Sequence, residues 1–203
     1  PAGDENSQLP VVSGSNSEEK GNVIHDNDLT TFITVRPENG TGWIQLSYEK
    51  PFTAKAITIA GRRGIPFGRV LASDDGKNFR SLTAIPGKSG YRGGNIRTYT
   101  FSETTAKYYR LEFTNAPARP ADIISQATTP VDTAYAISEI QLHAGARINR
   151  WQDKAGFNFL FEYDGVETPD ISSNAAIDPS TVIDLTEKMN AGGTLNWTVP
   201  KGN

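Results

Sequence analysis

The sequence has no cysteine, one methionine and two histidines. Missing thiols exclude a disulfide framework, a cysteine nucleophile and cysteine-ligated zinc. His25 and His143 are too few for a three-histidine zinc site. No apolar run approaches the ~18 residues that a membrane-spanning helix needs, so no membrane span is expected. Basic residues are not in excess either: 20 Lys and Arg stand against 23 Asp and Glu, a net charge of −3. A nucleic-acid partner is therefore not expected, because phosphate binding leaves a basic footprint. The nucleophile elbow, the phosphate-cradling loop and the His-Glu-x-x-His zinc motif are all missing. No catalytic residue is assigned.

What is present reads as strands and turns. The 203 residues include 19 Gly and 12 Pro. That length holds one large domain, or one of about 150 residues with an appendage. Residues 1–22 are polar, apart from Leu9-Pro10-Val11-Val12, and read as a lead-in. Ile44, Leu46 and Tyr48 alternate with Trp43, Gln45 and Ser47, the two-residue period of a half-buried strand. Pro51 interrupts before Ala56-Ile57-Thr58-Ile59. Val70-Leu71-Ala72-Ser73 enters the turn Asp74-Asp75-Gly76-Lys77, where Gly76 can take a positive φ, and Phe79 to Leu82 return. Arg97, Tyr99 and Phe101 alternate, as do Tyr109, Leu111 and Phe113, and Ile140 with Leu142. Turn signals at roughly 8–12-residue spacing predict an all-β sandwich or barrel. Asn115 to Tyr135, with Pro117, Pro120 and Pro130, reads as a long covering loop anchored by Ile123-Ile124.

A new kind of sequence begins after His143. Arg147 to Phe157 is charged and aromatic, and Phe157-Asn158-Phe159-Leu160-Phe161 is strand-like. Asp178-Pro179 and Gly192-Gly193 mark turns. The expected organisation is a jelly-roll sandwich over residues 1–145 and a truncated β-rich linker and second module over 146–203. The chain opens on Pro1 and its sole methionine is Met189. A processed or excised chain, its signal peptide already removed, is expected.

Five motifs, in order, resemble the discoidin-like (coagulation factor 5/8 type C) galactose-binding domains. They are Ile24 to Phe32, Gly42-Trp43-Ile44-Gln45-Leu46, Ala72 to Phe79, Lys107 to Phe113, and Ile137 to Leu142. The resemblance covers roughly residues 11–144, and it implies a jelly-roll fold and a carbohydrate-binding class. Asn27 stands where that family has Gly, and Phe79 where it has Trp. The tail resembles glycoside hydrolase family 106, the α-L-rhamnosidase-type enzymes. Arg147 to Phe157, Val182 to Thr186 and Leu195 to Asn203 carry that likeness. It implies an accessory segment of an exported, periplasmic or extracellular bacterial hydrolase of plant polysaccharide, with other domains of the same parent chain as partners. The family's catalytic carboxylates lie outside these motifs.

Two candidate sites follow. Asp26, Asp28 and Thr31 cluster in one loop, and a hard cation wants ~6–8 oxygens. Glu139 lies on the strand face opposite Ile140 and Leu142, free to meet that loop. In resembling domains such a loop and the late Glu share a structural Ca²⁺. The other reading is an Asx-turn, in which Asp26 or Asp28 bonds backbone N–H groups. The second candidate is carbohydrate binding by Arg62, Arg63, Phe67, Tyr91 and Arg92, which pair aromatic faces with planar donors. Its alternative is a solvated Arg face over packed aromatics. A self-standing carbohydrate-binding module or lectin, and a protein-binding sandwich, are the alternative functions.

Overall fold

Alternation builds the first long strand. In the computed structural model Gly42, Ile44, Leu46 and Tyr48 are buried, while the residues between them are half-exposed. The structure describes residues 9–17, 21–62, 64–86, 95–115, 133–155, 167–170 and 178–198. Its strands are β1 (Val11–Gly14), β2 (Ile33–Val35), β3 (Thr41–Gly61), β4 (Phe67–Ser73), β5 (Arg80–Pro86), β6 (Ile96–Thr114) and β7 (Tyr135–His143). All pairings between them are antiparallel.

Pro51 does not end the strand, as its missing N–H had suggested. β3 continues through it, and the ladder to β6 skips from Ser47 to Phe52 and again between Ala54 and Ala56. These shifts split the ladder into two sheets. Thr41–Ser47 pairs with Tyr108–Thr114 of β6, whose other side carries β4 and then β5. Phe52–Ala60 pairs with Ile96–Ala106 of β6 and, on its other side, with β7 and then β2. The result is the jelly-roll β-sandwich expected from the sequence. At the crossover, the Tyr109 hydroxyl lies 2.7 Å from the carbonyl oxygens of both Phe52 and Thr104.

The core is the seam between the sheets. Ile44, Leu46, Tyr109, Leu111 and Phe113 come from one half, and Ile57, Ile59, Tyr99, Ile137 and Ile140 from the other. Burial of each large apolar side chain stabilises by about 1.5–3 kcal/mol. No exposed ion pair approaches that figure, so the seam dominates.

Among the described residues, β6 in the second sheet pairs with β3 on one side only. Residues 149–153 cover the other side, a role not foreseen from the sequence. The Arg150 N–H donates to the Thr98 carbonyl at 2.8 Å. Gln152 Oε1 accepts the Thr98 N–H and Asn149 Oδ1 the Thr100 N–H, both at 3.1 Å. These groups stand in for a missing strand, which an open edge needs. Below them the Asp153 carboxylate, with 0% side-chain exposure, pairs with Arg97 at 3.0 Å and Arg150 at 2.7 Å. The short helix α1 (Trp151–Lys154) presents Gln152 and Asp153.

Two compact units result, Pro1–Asp170 and Ile171–Asn203. Asn149, Arg150, Gln152 and Asp153, in the segment expected to open the second module, bond to β6. In the second unit the Asp178-Pro179 turn is capped by the Asp178 carboxylate on the Ser180 N–H at 2.9 Å. Gly193 turns with φ 78° beside a single bridge between Met189 and Leu195. The expected strand at residues 157–161 and the loop anchor Ile123-Ile124 lie outside the described residues.

Candidate calcium and carbohydrate site

The loop after the Gly21–His25 3-10 turn winds on its own carboxylates. Asn27 adopts φ 59°, a left-handed value that Asn tolerates where Gly is usual. The Asp28 N–H donates to Asp26 Oδ1 at 2.8 Å. The Thr30 N–H and hydroxyl donate to Asp28 Oδ1 at 2.8 and 2.6 Å. The Asx-turn reading is therefore present, and Asp28 spends one carboxylate oxygen on it.

Thr31 shows something an Asx-turn does not need. Its hydroxyl lies 2.8 Å from Asp26 Oδ2, 2.9 Å from the Asp28 carbonyl and 3.4 Å from the Val23 carbonyl. A hydroxyl has one proton. It cannot satisfy three acceptors, so the remaining oxygens of this exposed cluster are open to water or to a cation.

Glu139 of β7 meets the same loop. Its Oε1 is buried without a hydrogen-bond partner. Burial first, and then the facing Asp26 carboxylate, push its pKa up to about 7. Asp26 is held below the usual carboxylate range by the Asp28 N–H and then the Thr31 hydroxyl. Asp28 is likewise lowered, chiefly by the Thr30 hydroxyl. Ser138 anchors the loop to β7 by donating to the Leu29 carbonyl at 3.2 Å. Among the described residues no group of three or more His, Cys, Asp or Glu gathers as a metal cluster. The oxygens here are two facing carboxylates plus a hydroxyl and carbonyls. That donor set suits a hard cation and no soft one.

The carbohydrate candidates are only partly placed. Arg62 follows the end of β3, donates to the Thr30 carbonyl at 3.2 Å and lies 4.8 Å over the Phe32 ring. It is thus tied to the acidic loop. Phe67 opens β4 opposite Pro86 and is half-buried. Arg63, Tyr91 and Arg92 lie outside the described residues.

Other carboxylates are engaged in structure. Asp75 accepts the Lys77 and Asn78 N–H groups, both at 2.8 Å, in the turn where Gly76 has φ 72°. Glu112 pairs with Arg69 at 2.7 Å, and Asp153 with its two arginines. Arg110, beside Glu112 on the outer sheet face, lies over Phe79 and Trp43, at 3.9 and 4.8 Å. That stack joins three of the five sequence motifs and explains why Phe serves in the hairpin.

The family model for glycoside hydrolase family 106, alpha-L-rhamnosidase, matches residues 13–203. The chain belongs to that family. No curated protein matches it. Among solved structures, a rhamnosidase from Novosphingobium sp. PP1Y is 24% identical with a TM-score of 0.63. The match covers 96% of this chain and 17% of that one, so the chain corresponds to a small part of that rhamnosidase. A pectin binding carbohydrate binding module is 25% identical with a TM-score of 0.53, over 68% of this chain and 93% of the module. The CBM32 of AlyQ, in complex with 4,5-unsaturated mannuronic acid, is 17% identical with a TM-score of 0.50, over 66% and 95%. This family 106 chain is thus a carbohydrate-associated domain with the fold of a carbohydrate-binding module.

Proposed function

We propose that this chain is a non-catalytic, carbohydrate-binding segment of an exported bacterial family 106 hydrolase that acts on rhamnose-containing plant polysaccharide. The observation that carries the reading is the double match. The match spans 93% of a pectin binding carbohydrate binding module, yet the chain covers only 17% of a rhamnosidase. A glycosidase needs two carboxyl groups flanking a sugar, about 5–9.5 Å apart. Here Asp75, Glu112 and Asp153 are held by turns and arginines, and the facing pair Asp26 and Glu139 is bound into a loop. No described helix is long and apolar enough to cross a membrane.

In this reading a calcium ion braces the loop. Asp26, Thr31 and Glu139 would hold it by side-chain oxygens, and Asp28 by its carbonyl. When bound, the ion supplies charge that offsets the facing carboxylates and pins the loop to β7. Its role is structural. Arg62, Arg63, Phe67, Tyr91 and Arg92 would contact the sugar, and Arg62 is tied to the calcium loop through the Thr30 carbonyl.

Affinity electrophoresis through rhamnose-containing pectic polysaccharide tests the binding claim. The chain is expected to be retarded relative to a gel without polysaccharide. Equal mobility in both gels would contradict it.

A further inference from the structure

The second unit holds its shape without a core. Among its described residues, 178–198, none is buried. Polar groups close its turns instead. Asp184 Oδ1 accepts the Thr186 N–H and hydroxyl at 2.9 and 2.6 Å. Asn190 Oδ1 accepts the Gly192 and Thr194 N–H groups at 3.0 and 2.9 Å. The Asn196 N–H donates to the Lys188 carbonyl at 2.9 Å. Exposed bonds of this kind contribute little net stability, because water competes for the same groups.

The apolar side chains are left outside. Val182, Ile183, Met189 and Leu195 are 44–65% exposed, and Leu185 and Trp197 are only half-buried. A single antiparallel bridge sets Met189 beside Leu195. One exposed aliphatic residue is ordinary. A unit that buries none of its large apolar side chains has nothing to offset the entropy of its own ordering. Ile171–Asn203 is also shorter than ~40 residues, below which a domain needs a disulfide, a metal or a partner. The sequence has no cysteine, and no metal cluster gathers among the described residues. A partner is left.

Reach and size select that partner. One family model runs through both units, from residue 13 to 203. The rhamnosidase likeness covers 96% of this chain, and so takes in the second unit, but only 17% of that chain. The counterpart of the second unit therefore lies within a far longer polypeptide. A partner on the same polypeptide is present at high effective concentration and needs few contacts. A second copy would need about 800 Å² on each side, more than four partly exposed aliphatic side chains supply.

We propose that Val182, Ile183, Met189 and Leu195 are docking anchors, which seat the second unit on an apolar surface elsewhere in the same family 106 polypeptide. The docking rests on the reading of this chain as a segment of a longer hydrolase.

Hydrogen exchange followed by mass spectrometry on this chain and on the full-length product of its gene tests it. Peptides within 178–198 are expected to exchange at least tenfold more slowly in the full-length protein, and peptides of β3 and β6 at the same rate in both. Ile183→Asp with Met189→Asp in the full-length protein should return 178–198 to the rate of this chain, whereas Glu187→Gln should keep the protection. Unchanged rates in β3 and β6 establish that the sandwich of each variant is folded. Turnover of an aryl α-L-rhamnoside by the full-length protein tests the hydrolase reading separately. Turnover with 178–198 unprotected overturns the docking and leaves the hydrolase reading standing. Protection without turnover keeps the docking and removes the hydrolase reading, and the absence of both removes both. Protection that rises with the concentration of this chain alone makes a second copy the occupant and overturns the proposal. A gene that encodes nothing beyond this chain overturns it as well.

Discussion

Asp153 receives Arg97 from 56 residues away in sequence, at 3.0 Å, with neither side chain more than 6% exposed. Arg150 completes the pair into a triad at 2.7 Å. The tail motif that resembles family 106 is thus part of the sandwich wall. Removing the shared carboxylate takes one counter-charge away from two buried guanidinium groups. Asp153→Ala should cost about 3–5 kcal/mol of stability, as breaking a buried pair typically does. Urea unfolding measures it, and a loss below 1 kcal/mol would mean the triad is solvated.

The crossover between sheets depends on one hydroxyl. Tyr109→Phe removes the group that meets the Phe52 and Thr104 carbonyls and keeps the ring in the core. The hydroxyl's one proton is shared between two part-buried carbonyls, and its loss should cost about 1–3 kcal/mol. The expected result is a lower urea midpoint with an unchanged slope. A changed slope would instead signal an altered denatured or native state.

Calcium should raise the melting temperature of EDTA-treated protein, and more at pH 8 than at pH 5. The Glu139 pKa is raised to about 7 in the fold. Stability from a raised pKa is fully present below the ordinary carboxylate value and is lost as pH rises through about 7. Without metal the melting temperature should therefore decline over that window, and saturating calcium should flatten the decline. Glu139→Gln should remove both the decline and most of the calcium response. An identical curve with and without calcium would leave the loop as an Asx-turn alone.

Asp75 carries the opposite sign. Its carboxyl is held far below the usual range by the Asn78 and Lys77 N–H groups. Its contribution is present above the ordinary carboxylate pKa and is lost only as pH falls well below it. Asp75→Asn should therefore lower stability at pH 7 and narrow the gap to wild type at pH 2. A gap that is constant across this range would contradict the turn's charge dependence.

The long ladders were legible because one face of each is buried. Ile44, Leu46 and Tyr48, and Tyr109, Leu111 and Phe113, write that burial as a two-residue period. β1 and β2, of four and three residues, are too short to show a period. Continuity through Pro51 was hidden because a bulge at a sheet crossover tolerates the missing N–H. The cover of Asn149 and Gln152 was illegible for another reason. Polar side chains replacing a strand have no periodicity, and their partners at Thr98 and Thr100 are about fifty residues away. In the loop, the spacing of Asp26, Asp28 and Thr31 is local and could be read directly.

The central claim is that this segment supports carbohydrate hydrolysis without performing it. Turnover of an aryl α-L-rhamnoside by this chain alone tests that claim most directly. The account predicts release no faster than the buffer blank across pH 4–8. Turnover above the blank that disappears in Asp26→Asn or Glu139→Gln, with folding intact, would contradict it and make that pair catalytic.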